Sequence, residues 1–336
     1  MLIAKIQNYL LMSLFFKKLT FVKIFNLFHV FFEYFLFTVV GRNKRNSFPY
    51  SISIEPTNNC NLRCPQCPTG LGVLNRSKGY MSLDLFKIVI DKSHKYLLNL
   101  FIYFQGEPFL NKNIFEMIEY ANSKNVYTTI SSNAMFVDEI IAQRVVLSGL
   151  DKIIISYDGI NNETYQKYRI GGNLLIVQQA ISFLKNKKIE LNKNNPQIEL
   201  QFIVNRFNEH QIKEFIEFAK SLKLNYKLKT MQIVDFETIN TFLPIFEKYS
   251  RYKYFENQWK LKRKLKNRCF RIWNSLVIGW NGDVLPCCYD KDATYKLGNI
   301  NNDEFYKIKG NEKFRQFAQK TRKNIEQIEI CRNCDL

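Results

Sequence analysis

The stretch Ser51-Ile-Ser-Ile-Glu-Pro-Thr-Asn-Asn-Cys60-Asn-Leu-Arg-Cys64-Pro-Gln-Cys67 places three cysteines directly after a short apolar run. The run Ser51–Glu55 predicts a β-strand, and the polar residues behind it predict a loop. Three thiolates this close together can surround one soft metal centre. A structural zinc site takes four protein ligands. An iron–sulfur cluster held by three thiolates instead leaves one iron open for an exchangeable ligand.

The chain beyond this loop alternates strand-like runs with helical patterns as far as Val234. The predicted strands are Ser51–Glu55, Leu100–Phe104, Tyr127–Ser131, Lys152–Ser156, Glu199–Val204 and Tyr226–Gln232. The helical patterns are Leu83–Tyr96, Ile114–Lys124, Val137–Leu147, Ile176–Leu184 and Gln211–Leu222. Such alternation predicts parallel strands with helical crossovers. Six units are too few for a closed eight-stranded barrel, so we expect an α/β fold with a partial (β/α)6 TIM-like barrel. Its ligands should lie at the carboxyl ends of the strands.

The alternation stops after Val234, which predicts a separate C-terminal part. Residues 239–268 are predicted to be helical and become basic, and 273–286 are predicted to form a hairpin around Asn281-Gly282-Asp283. A final helix is expected over Asn311–Lys323, before the chain reaches Cys331-Arg-Asn-Cys334. We therefore predict three parts: an N-terminal helical extension (1–47), a core (48–236) and a C-terminal domain (237–336).

The N-terminal extension is rich in phenylalanine, with nine of the chain's 29 within residues 1–40. Lys23, Asn26, His29 and Glu33 interrupt the apolar run 19–40, which argues against a transmembrane span because charges are costly in the bilayer centre. The sequence also lacks the small-residue cleavage site of a secretory signal. We expect one or two amphipathic helices. They either lie on a membrane surface with basic residues near anionic head groups, or pack on the body of the protein or in a dimer.

The net charge of +19 is concentrated in two segments. Residues 1–45 carry seven Lys or Arg against one Glu, and residues 251–271 carry nine against one. The rest of the chain keeps a net charge of only +5, so the charge does not favour nucleic acid as a partner. A hydrophobic content of 46% with 24% charged residues excludes a disordered chain and a multi-span membrane protein. Eight cysteines in 336 residues are too few for a disulfide scaffold.

Cys60-x3-Cys64-x2-Cys67 after a first strand resembles the signature of the radical S-adenosylmethionine (SAM) enzymes. In that family the three cysteines hold a [4Fe–4S] cluster, and the amino and carboxylate groups of SAM occupy its open iron. The reduced cluster cleaves SAM to methionine and a 5′-deoxyadenosyl radical, which abstracts hydrogen from a substrate. The resemblance implies that Cys60, Cys64 and Cys67 are the ligands and the catalytic centre.

Further motifs at successive strand ends strengthen this resemblance. Gln105-Gly106-Glu107-Pro108 is similar to the family's Gly-Gly-Glu-Pro motif, which contacts the methionine amino group, although Gln replaces the first Gly. Arg169 follows the fourth strand and suits the SAM carboxylate. Gln66 stands where the family usually has an aromatic residue near the adenine. The SAM contacts implied by the resemblance are Gln66, Gln105, Gly106, Glu107, Ser132, Asn133, Ser156, Asp158 and Arg169.

The remaining cysteines resemble the SPASM domain, which carries auxiliary iron–sulfur clusters in many radical SAM enzymes. The spacing of Cys269, Gly282 and Cys287 is similar to the start of that domain, but the central cysteines of its full form are missing. The shortened, so-called twitch form would use Cys269, Cys287, Cys331 and Cys334 for one further [4Fe–4S] cluster. The same four residues could bind zinc. Cys288 is left over, and Asp290 is a nearby candidate base.

These features predict a radical SAM oxidoreductase or modifying enzyme that abstracts hydrogen from a peptide, a protein or a small molecule. The auxiliary cluster would accept an electron from the substrate radical or position the substrate. The resemblance implies a flavodoxin- or ferredoxin-type electron donor and a cytoplasmic setting. Residues 1–45 lie outside the resemblance, and their basic, phenylalanine-rich composition separately suggests peripheral contact with the inner face of the membrane. The alternative is a zinc-binding, RNA- or membrane-associated adaptor without radical chemistry, which leaves Cys60, Cys64 and Cys67 unexplained.

Overall fold

Six parallel strands follow one another along the main sheet of this computed structural model, which describes residues 18–334 of the chain. The strands are β1 (Ser51–Ile54), β2 (Asn99–Phe101), β3 (Tyr127–Ser132), β4 (Lys152–Ser156), β5 (Gln197–Val204) and β6 (Asn225–Thr230). Each pairs in parallel with the next in the order β1-β2-β3-β4-β5-β6. This arrangement is the predicted α/β partial barrel.

Helices lie between consecutive strands, as expected for parallel pairing. They are α2 (Pro68–Leu71) and α3 (Leu83–Ser93), α4 (Ile114–Ser123), α5 (Glu139–Leu147), α6 (Asn162–Tyr168) and α7 (Leu174–Glu190), and α8 (Ile212–Ser221). Polar side chains fix where several of them begin. Ser82 accepts the amide of Leu85 at the start of α3, and Asp138 accepts that of Ile141 at the start of α5.

The predicted boundaries differ from the structure mainly at β2 and α7. β2 ends at Phe101 instead of Phe104, although the amide of Ile102 still donates to the carbonyl of Thr129. The chain bends only from Phe104 toward the glycine at 106, which has a positive φ of 75°. Helix α7 begins at Leu174 and continues to Glu190, well beyond the predicted Leu184. Asn173 caps it by accepting the amide of Leu175. Neither difference moves the carboxyl end of a barrel strand away from the expected edge.

The C-terminal hairpin extends the barrel sheet. Strand β9 (Ser275–Ile278) pairs in parallel with β1, and β10 (Asp283–Leu285) pairs antiparallel with β9. Gly282 provides the positive φ of 87° that the predicted turn requires. The short strand β11 (Gly298–Asn299) ends the sheet. The hairpin prediction is confirmed, and its pairing with β1 brings the C-terminal part next to the cysteine loop.

Short helices complete the C-terminal part of the described chain. These are α10 (Arg271–Asn274), α11 (Phe305–Ile308), α12 (Glu312–Asn324) and the 3-10 turns Ile325–Gln327 and Glu329–Cys331. The predicted final helix is therefore confirmed, with Asn311 as its N-cap.

The prediction that residues 239–268 are helical is wrong. Only α9 (Ile239–Phe242) and the 3-10 turn Glu247–Tyr249 are helical, and a separate hairpin follows, with β7 (Tyr252–Phe255) and β8 (Gln258–Leu261). Glu256 and Asn257 both take positive φ, at 49° and 56°, which makes the two-residue turn that suits a hairpin. The rings of Tyr254 and Trp259 meet across the strands at 5.2 Å.

The N-terminal extension contains helix α1 (Phe21–Val40), which begins at the N-cap Thr20 and ends at Gly41. By length and composition it is the one helix in the described part of the chain that is apolar enough to cross a membrane. That criterion is weak, because core helices and signal sequences also meet it. A helix was predicted here, and residues 1–17 of the predicted extension lie outside the described residues.

Candidate active site

The three clustered cysteines line one cavity of about 200 Å³ at the carboxyl ends of the barrel strands. A backbone hydrogen bond from the amide of Cys67 to the carbonyl of Cys64 turns the loop, and Pro68 then begins α2. Gly70 packs directly on this turn, since a Cβ there would lie 2.5 Å from backbone atoms of Cys64. The loop therefore curls its thiols toward one centre.

The end of the second strand is locked onto the cysteine loop. Gly106 has a positive φ of 75°, and a Cβ added there would lie 2.5 Å from the carbonyl oxygens of Thr57 and Asn59. The amide of Glu107 donates to the carbonyl of Asn59 at 2.8 Å. Only glycine fits at position 106 without displacing this loop.

Glu107 is a buried carboxyl at the wall of this cavity. It accepts hydrogen bonds from Ser132 Oγ and the Asn133 amide, both at 2.8 Å, and from the Phe109 amide at 3.3 Å. Burial raises the pKa of Glu107 to about 7, and these hydrogen bonds limit the rise. A carboxyl held in this way is ready to stabilise a positively charged amino group in the cavity.

Arg169 enters the cavity from the loop after α6 and is fixed by Asp158. The Arg169 Nε donates to Asp158 Oδ2 at 2.6 Å, and its Nη1 lies 3.7 Å from Cys64 Sγ. Burial is the largest single effect and lowers the pKa of Arg169, but Asp158 together with the neighbouring cysteine and tyrosine side chains outweighs it and holds the pKa well above its usual value. Asp158 also accepts the amide of Ile203 at 2.6 Å. Arg169 therefore provides a permanent cation for an anionic ligand group.

The structure separates the predicted SAM contacts into two groups. Gly106, Glu107, Ser132, Asn133, Ser156 and Arg169 line the cavity together with the three cysteines. Gln66 instead accepts the amides of Val234 and Asp235 after β6, at 2.8 and 3.0 Å. Gln105 accepts from Thr69 Oγ1, and Asp158 lies behind Arg169. The role of each residue toward SAM stays a prediction.

Sequence reasoning missed several residues that line the cavity. Tyr103 and Phe104 follow β2, Thr69 lies in α2, and Gln201 lies in the middle of β5. The only available signal was position: Tyr103 and Phe104 immediately precede the Gln-Gly-Glu-Pro motif. Gln201 belongs to no sequence motif. A polar residue at its position in an alternating strand is equally typical of a strand face that is exposed to water.

The four cysteines predicted to bind a second centre line another cavity, of about 340 Å³. They come from the segment before α10, from the end of the β9–β10 hairpin, and from the C-terminal turn and the residues after it: Cys269, Cys287, Cys331 and Cys334. The ring of Phe270 and several basic side chains also line this cavity. The fold thus gathers residues that are 65 positions apart in the chain.

The leftover residues Cys288 and Asp290 take different positions from these ligands. Arg271 Nη1 lies 2.7 Å from Cys288 Sγ. The carboxylate of Asp290 is fully buried and accepts the amides of Thr294 and Tyr295 at 2.7 and 2.9 Å. Asp290 therefore stabilises a turn, which leaves it poorly placed to act as the base suggested by its position in the sequence.

One small apolar cluster contacts side chains near both cavities. Phe104, which lines the first cavity, and Cys288, which adjoins ligand candidate Cys287, both pack on the small apolar cluster of Val277, Leu285 and Ala293. Burial raises the pKa of Tyr103 to about 12, and the neighbouring Cys288 adds to this rise. The C-terminal hairpin therefore places Cys288, the neighbour of Cys287, on the same apolar cluster as a side chain of the first cavity.

The donor sets fit iron–sulfur clusters. Among residues 18–334, no three His, Cys, Asp or Glu side chains converge closely enough to hold a single metal ion. Each set of cysteines instead surrounds a cavity, as required when every thiolate binds a different iron of one cluster. Burial raises the pKa of Cys60 to about 11, so its thiolate needs a positive centre such as a cluster.

Comparison with known families agrees with this geometry. Residues 54–247, more than half of the chain, match the radical SAM superfamily. The protein belongs to the radical SAM superfamily. Residues 269–335 match the SPASM iron–sulfur cluster-binding domain. The radical SAM part of this enzyme binds a [4Fe–4S] cluster and SAM, and its SPASM part binds auxiliary iron–sulfur clusters. The zinc alternative receives no support.

Curated relatives of this radical SAM enzyme are distant. It is 26% identical over 172 residues to the AdoMet-dependent heme synthase of Nitratidesulfovibrio vulgaris, covering 51% of this chain and 45% of the relative. It is 24% identical over 174 residues to the PqqA peptide cyclase of Granulibacter bethesdensis, covering 52% and 45%. The chain thus spans about half the length of these relatives.

A solved radical SAM structure shares the fold. SuiB of Streptococcus suis, bound to S-adenosylmethionine, superposes with a TM-score of 0.61 at 16% identity, covering 85% of this chain and 72% of SuiB. SuiB has also been solved with its precursor peptide SuiA. At this identity the likeness shows the fold alone.

Proposed function

We propose that this radical SAM enzyme abstracts a hydrogen atom from a peptide or small-molecule substrate and that its C-terminal centre takes part in the oxidation. The observation that carries the proposal is the convergence of Cys60, Cys64 and Cys67 with Glu107 and Arg169 on one cavity. Three thiols, one carboxyl and one guanidinium match an iron–sulfur cluster and the two charged ends of an amino acid.

The residues of the chain have separable tasks in this proposal. When bound, the cluster and SAM supply a one-electron cleavage that gives methionine and a 5′-deoxyadenosyl radical. Glu107 would hold the amino group of SAM, and Arg169, oriented by Asp158, its carboxylate. Tyr103 and Phe104 close the side of the cavity toward the C-terminal part and limit the access of water to the reacting atoms.

The position of the second cysteine set supports a role in electron transfer. Phe104 of the first cavity and Cys288, which is adjacent in sequence to Cys287 of the second cavity, pack on the same apolar cluster. A centre in the second cavity could accept the electron that a substrate radical must lose to give a stable two-electron product. Positioning the substrate is the other role compatible with this site.

Two substrate classes remain in the proposal, because named relatives divide between them. PqqA peptide cyclase takes its name from a peptide, and SuiB was solved with one. The heme synthase is named for a small-molecule product. Neighbouring genes would supply the candidates: a short precursor peptide favours peptide modification, and genes of sugar or lipid synthesis favour small-molecule dehydrogenation.

We also propose a flavodoxin- or ferredoxin-type donor and a cytoplasmic setting for the enzyme. Support comes from the chemistry, since the core centre must be reduced before it can act. None of the eight cysteines is paired in a disulfide, which agrees with a reducing compartment.

The test is cleavage of SAM by anaerobically reconstituted protein with dithionite, followed by chromatography and mass spectrometry of 5′-deoxyadenosine. The wild-type chain should form it, and a variant with Cys60, Cys64 and Cys67 changed to Ala should not. Equal formation by both proteins would refute the proposal. Deuterated candidate substrates then identify the class, because the true substrate transfers deuterium to 5′-deoxyadenosine.

A further inference from the structure

Helix α1 turns an apolar face to the outside of the molecule. Every exposed position in Phe21–Val40 carries an apolar side chain, six of them phenylalanine. Phe21, Phe25 and Phe28 are 83%, 66% and 68% exposed. Large exposed apolar faces on soluble proteins mark contacts with a membrane or with another protein.

Three polar residues of α1 face inward and are bonded to the body. Asn26 pairs with both the amide and the carbonyl of Phe48, each at 2.9 Å. Glu33 accepts the amides of Asn46 and Ser47 at 2.7 and 3.0 Å. Lys23 donates to the carbonyl of Asn125 at 2.7 Å.

This inward stripe explains the residues that interrupt the apolar run. Lys23, Asn26, Val30, Glu33 and Phe37 are the buried positions of α1, spaced three and four residues apart as one helix face requires. Pulling the helix across a bilayer would break these bonds and leave a buried carboxylate and an ammonium in hydrocarbon. The helix is therefore built to stay on the body with its phenylalanine face outward.

Basic side chains border the C-terminal half of this face. The rings of Phe31 and Tyr34 pack on Phe270, at 5.0 and 4.9 Å, which brings the segment 262–268 alongside α1. That segment has five exposed Lys or Arg and no acidic residue: Lys262, Arg263, Lys264, Lys266 and Arg268. Arg322 packs against Gly41 at the end of the helix, and exposed Arg42 follows it.

Arg42, Arg322 and the basic segment 262–268 therefore border one apolar face. Exposed phenylalanines bordered by Lys and Arg provide both signals that stable peripheral binding needs, apolar insertion and attraction to anionic head groups. A second copy of the chain suits this surface poorly, since pairing two such faces would oppose two cationic borders.

We propose that the outer face of α1, with the segment 262–268, binds in the plane of an anionic lipid surface. The helix lies along the membrane, its phenylalanines enter the interface and the basic side chains contact lipid phosphates. This inference is independent of the radical chemistry. It places the end of the protein that contains the second cysteine cavity next to the membrane, because Tyr34, Arg263, Lys266 and Arg268 also line that cavity.

The test is flotation of the full chain with vesicles of phosphatidylcholine alone or with phosphatidylglycerol added. The wild-type chain should float with the anionic vesicles and much less with the neutral ones. Changing Phe25, Phe28 and Phe32 to Ser should weaken binding by about 100-fold or more, because each removes a large apolar side chain from the interface. Changing Arg42 and Lys264, which do not line the second cysteine cavity, to Gln should weaken binding to anionic vesicles roughly 30-fold, at about 1 kcal/mol for each charge.

A matched control changes three exposed apolar residues elsewhere, Ile140, Ile189 and Phe246, to Ser. It should bind vesicles like the wild-type chain. Because all of these side chains are exposed, circular dichroism and iron content should stay unchanged in each variant. Deleting the helix is a poorer test, since it also removes the bonds of Asn26 and Glu33 to the body.

Several outcomes would overturn the proposal. The Phe variant could bind the vesicles as well as the wild-type chain does, or the control variant could lose as much binding as the Phe variant. Binding could also be lost only when residues 1–17 are deleted. A dimer in sedimentation that the Phe variant dissociates, without flotation, would assign the face to a second copy. Tight binding of RNA through Arg42 and Lys264, without flotation, would assign the basic border to nucleic acid.

Discussion

Replacing Glu107 with Gln keeps the shape of a buried side chain while removing its negative charge. The carboxylate stands at the wall of the core cavity, held by Ser132 and the amide of Asn133. If it holds the amino group of SAM, the variant loses a hydrogen bond between charged groups. Such a bond contributes about 1.5–3 kcal/mol, so the Kd for SAM should rise roughly 10- to 140-fold.

The pH dependence provides a second signature of Glu107. With a pKa of about 7 in the absence of ligand, the carboxylate form falls from about nine-tenths of the molecules at pH 8 to about one-tenth at pH 6. The affinity of the wild-type protein for SAM should therefore weaken about tenfold between these pH values. The Gln variant should lack this dependence.

The stability of the folded protein depends on pH in the opposite direction to its affinity for SAM. The raised pKa means that the native protein holds this proton more tightly than the unfolded chain does. The stabilisation from Glu107 is thus fully present below its unfolded pKa near 4 and is lost as the pH rises toward about 7. Denaturant unfolding of ligand-free protein at pH 5 and pH 8 measures this loss.

Equilibrium dialysis of labelled SAM against reconstituted protein is the assay for affinity, and Glu209→Gln is the control. Glu209 is also a buried glutamate, which accepts the amides of Ile245 and Phe246 at 2.9 and 2.8 Å away from the core cavity. That variant should bind SAM normally. The reasoning fails if Glu107→Gln binds SAM within twofold of the wild-type chain, or if both variants lose affinity alike.

Three further predictions follow from local geometry. The Gly106→Ala variant should unfold at a lower denaturant concentration than the Gly72→Ala variant and should lose iron from the core site. Both glycines have a positive φ, but only a Cβ at position 106 would contact backbone atoms, at 2.5 Å. Equal stability and iron content of the two variants would contradict this. Changing Cys331 and Cys334 to Ala should preserve cleavage of SAM in the 5′-deoxyadenosine assay but abolish the two-electron product; unchanged product would exclude electron transfer by the second centre. Glu33→Ala should lower the free energy of unfolding by about 2–4 kcal/mol, since two amides lose their acceptor, whereas Ala at exposed Glu119 should change it little in thermal and denaturant unfolding.

The sequence was most informative where local chemistry determines the structure. Strand β4 was predicted with its observed ends, because Lys152-Ile-Ile-Ile-Ser156 is a buried parallel strand of β-branched residues. The cysteine loop, the Gly-Glu-Pro turn and the glycine of the C-terminal hairpin all carry residue types that few other conformations use. These features were sufficient to predict the partial barrel and its ligand edge.

Long-range contacts limited the rest of the prediction. Residues 252–261 form a hairpin whose turn, Glu256-Asn257, lacks the glycine that usually marks such turns. The pairing of β9 with β1 links residues more than 200 positions apart, which no local pattern encodes. The orientation of α1 was also hidden, because a polar stripe on an apolar helix ordinarily faces water, whereas here Asn26 and Glu33 bind backbone groups of the body.

The most direct test of the account is electron paramagnetic resonance of the reduced protein with and without SAM, combined with iron analysis. The wild-type chain should hold about eight iron atoms, as expected for two [4Fe–4S] clusters. Changing Cys60, Cys64 and Cys67 to Ala, or Cys331 and Cys334 to Ala, should each halve that number. SAM should alter the spectrum only when Cys60, Cys64 and Cys67 are present. A spectrum that responds to SAM in the variant without these three cysteines would contradict the assignment of the core cavity.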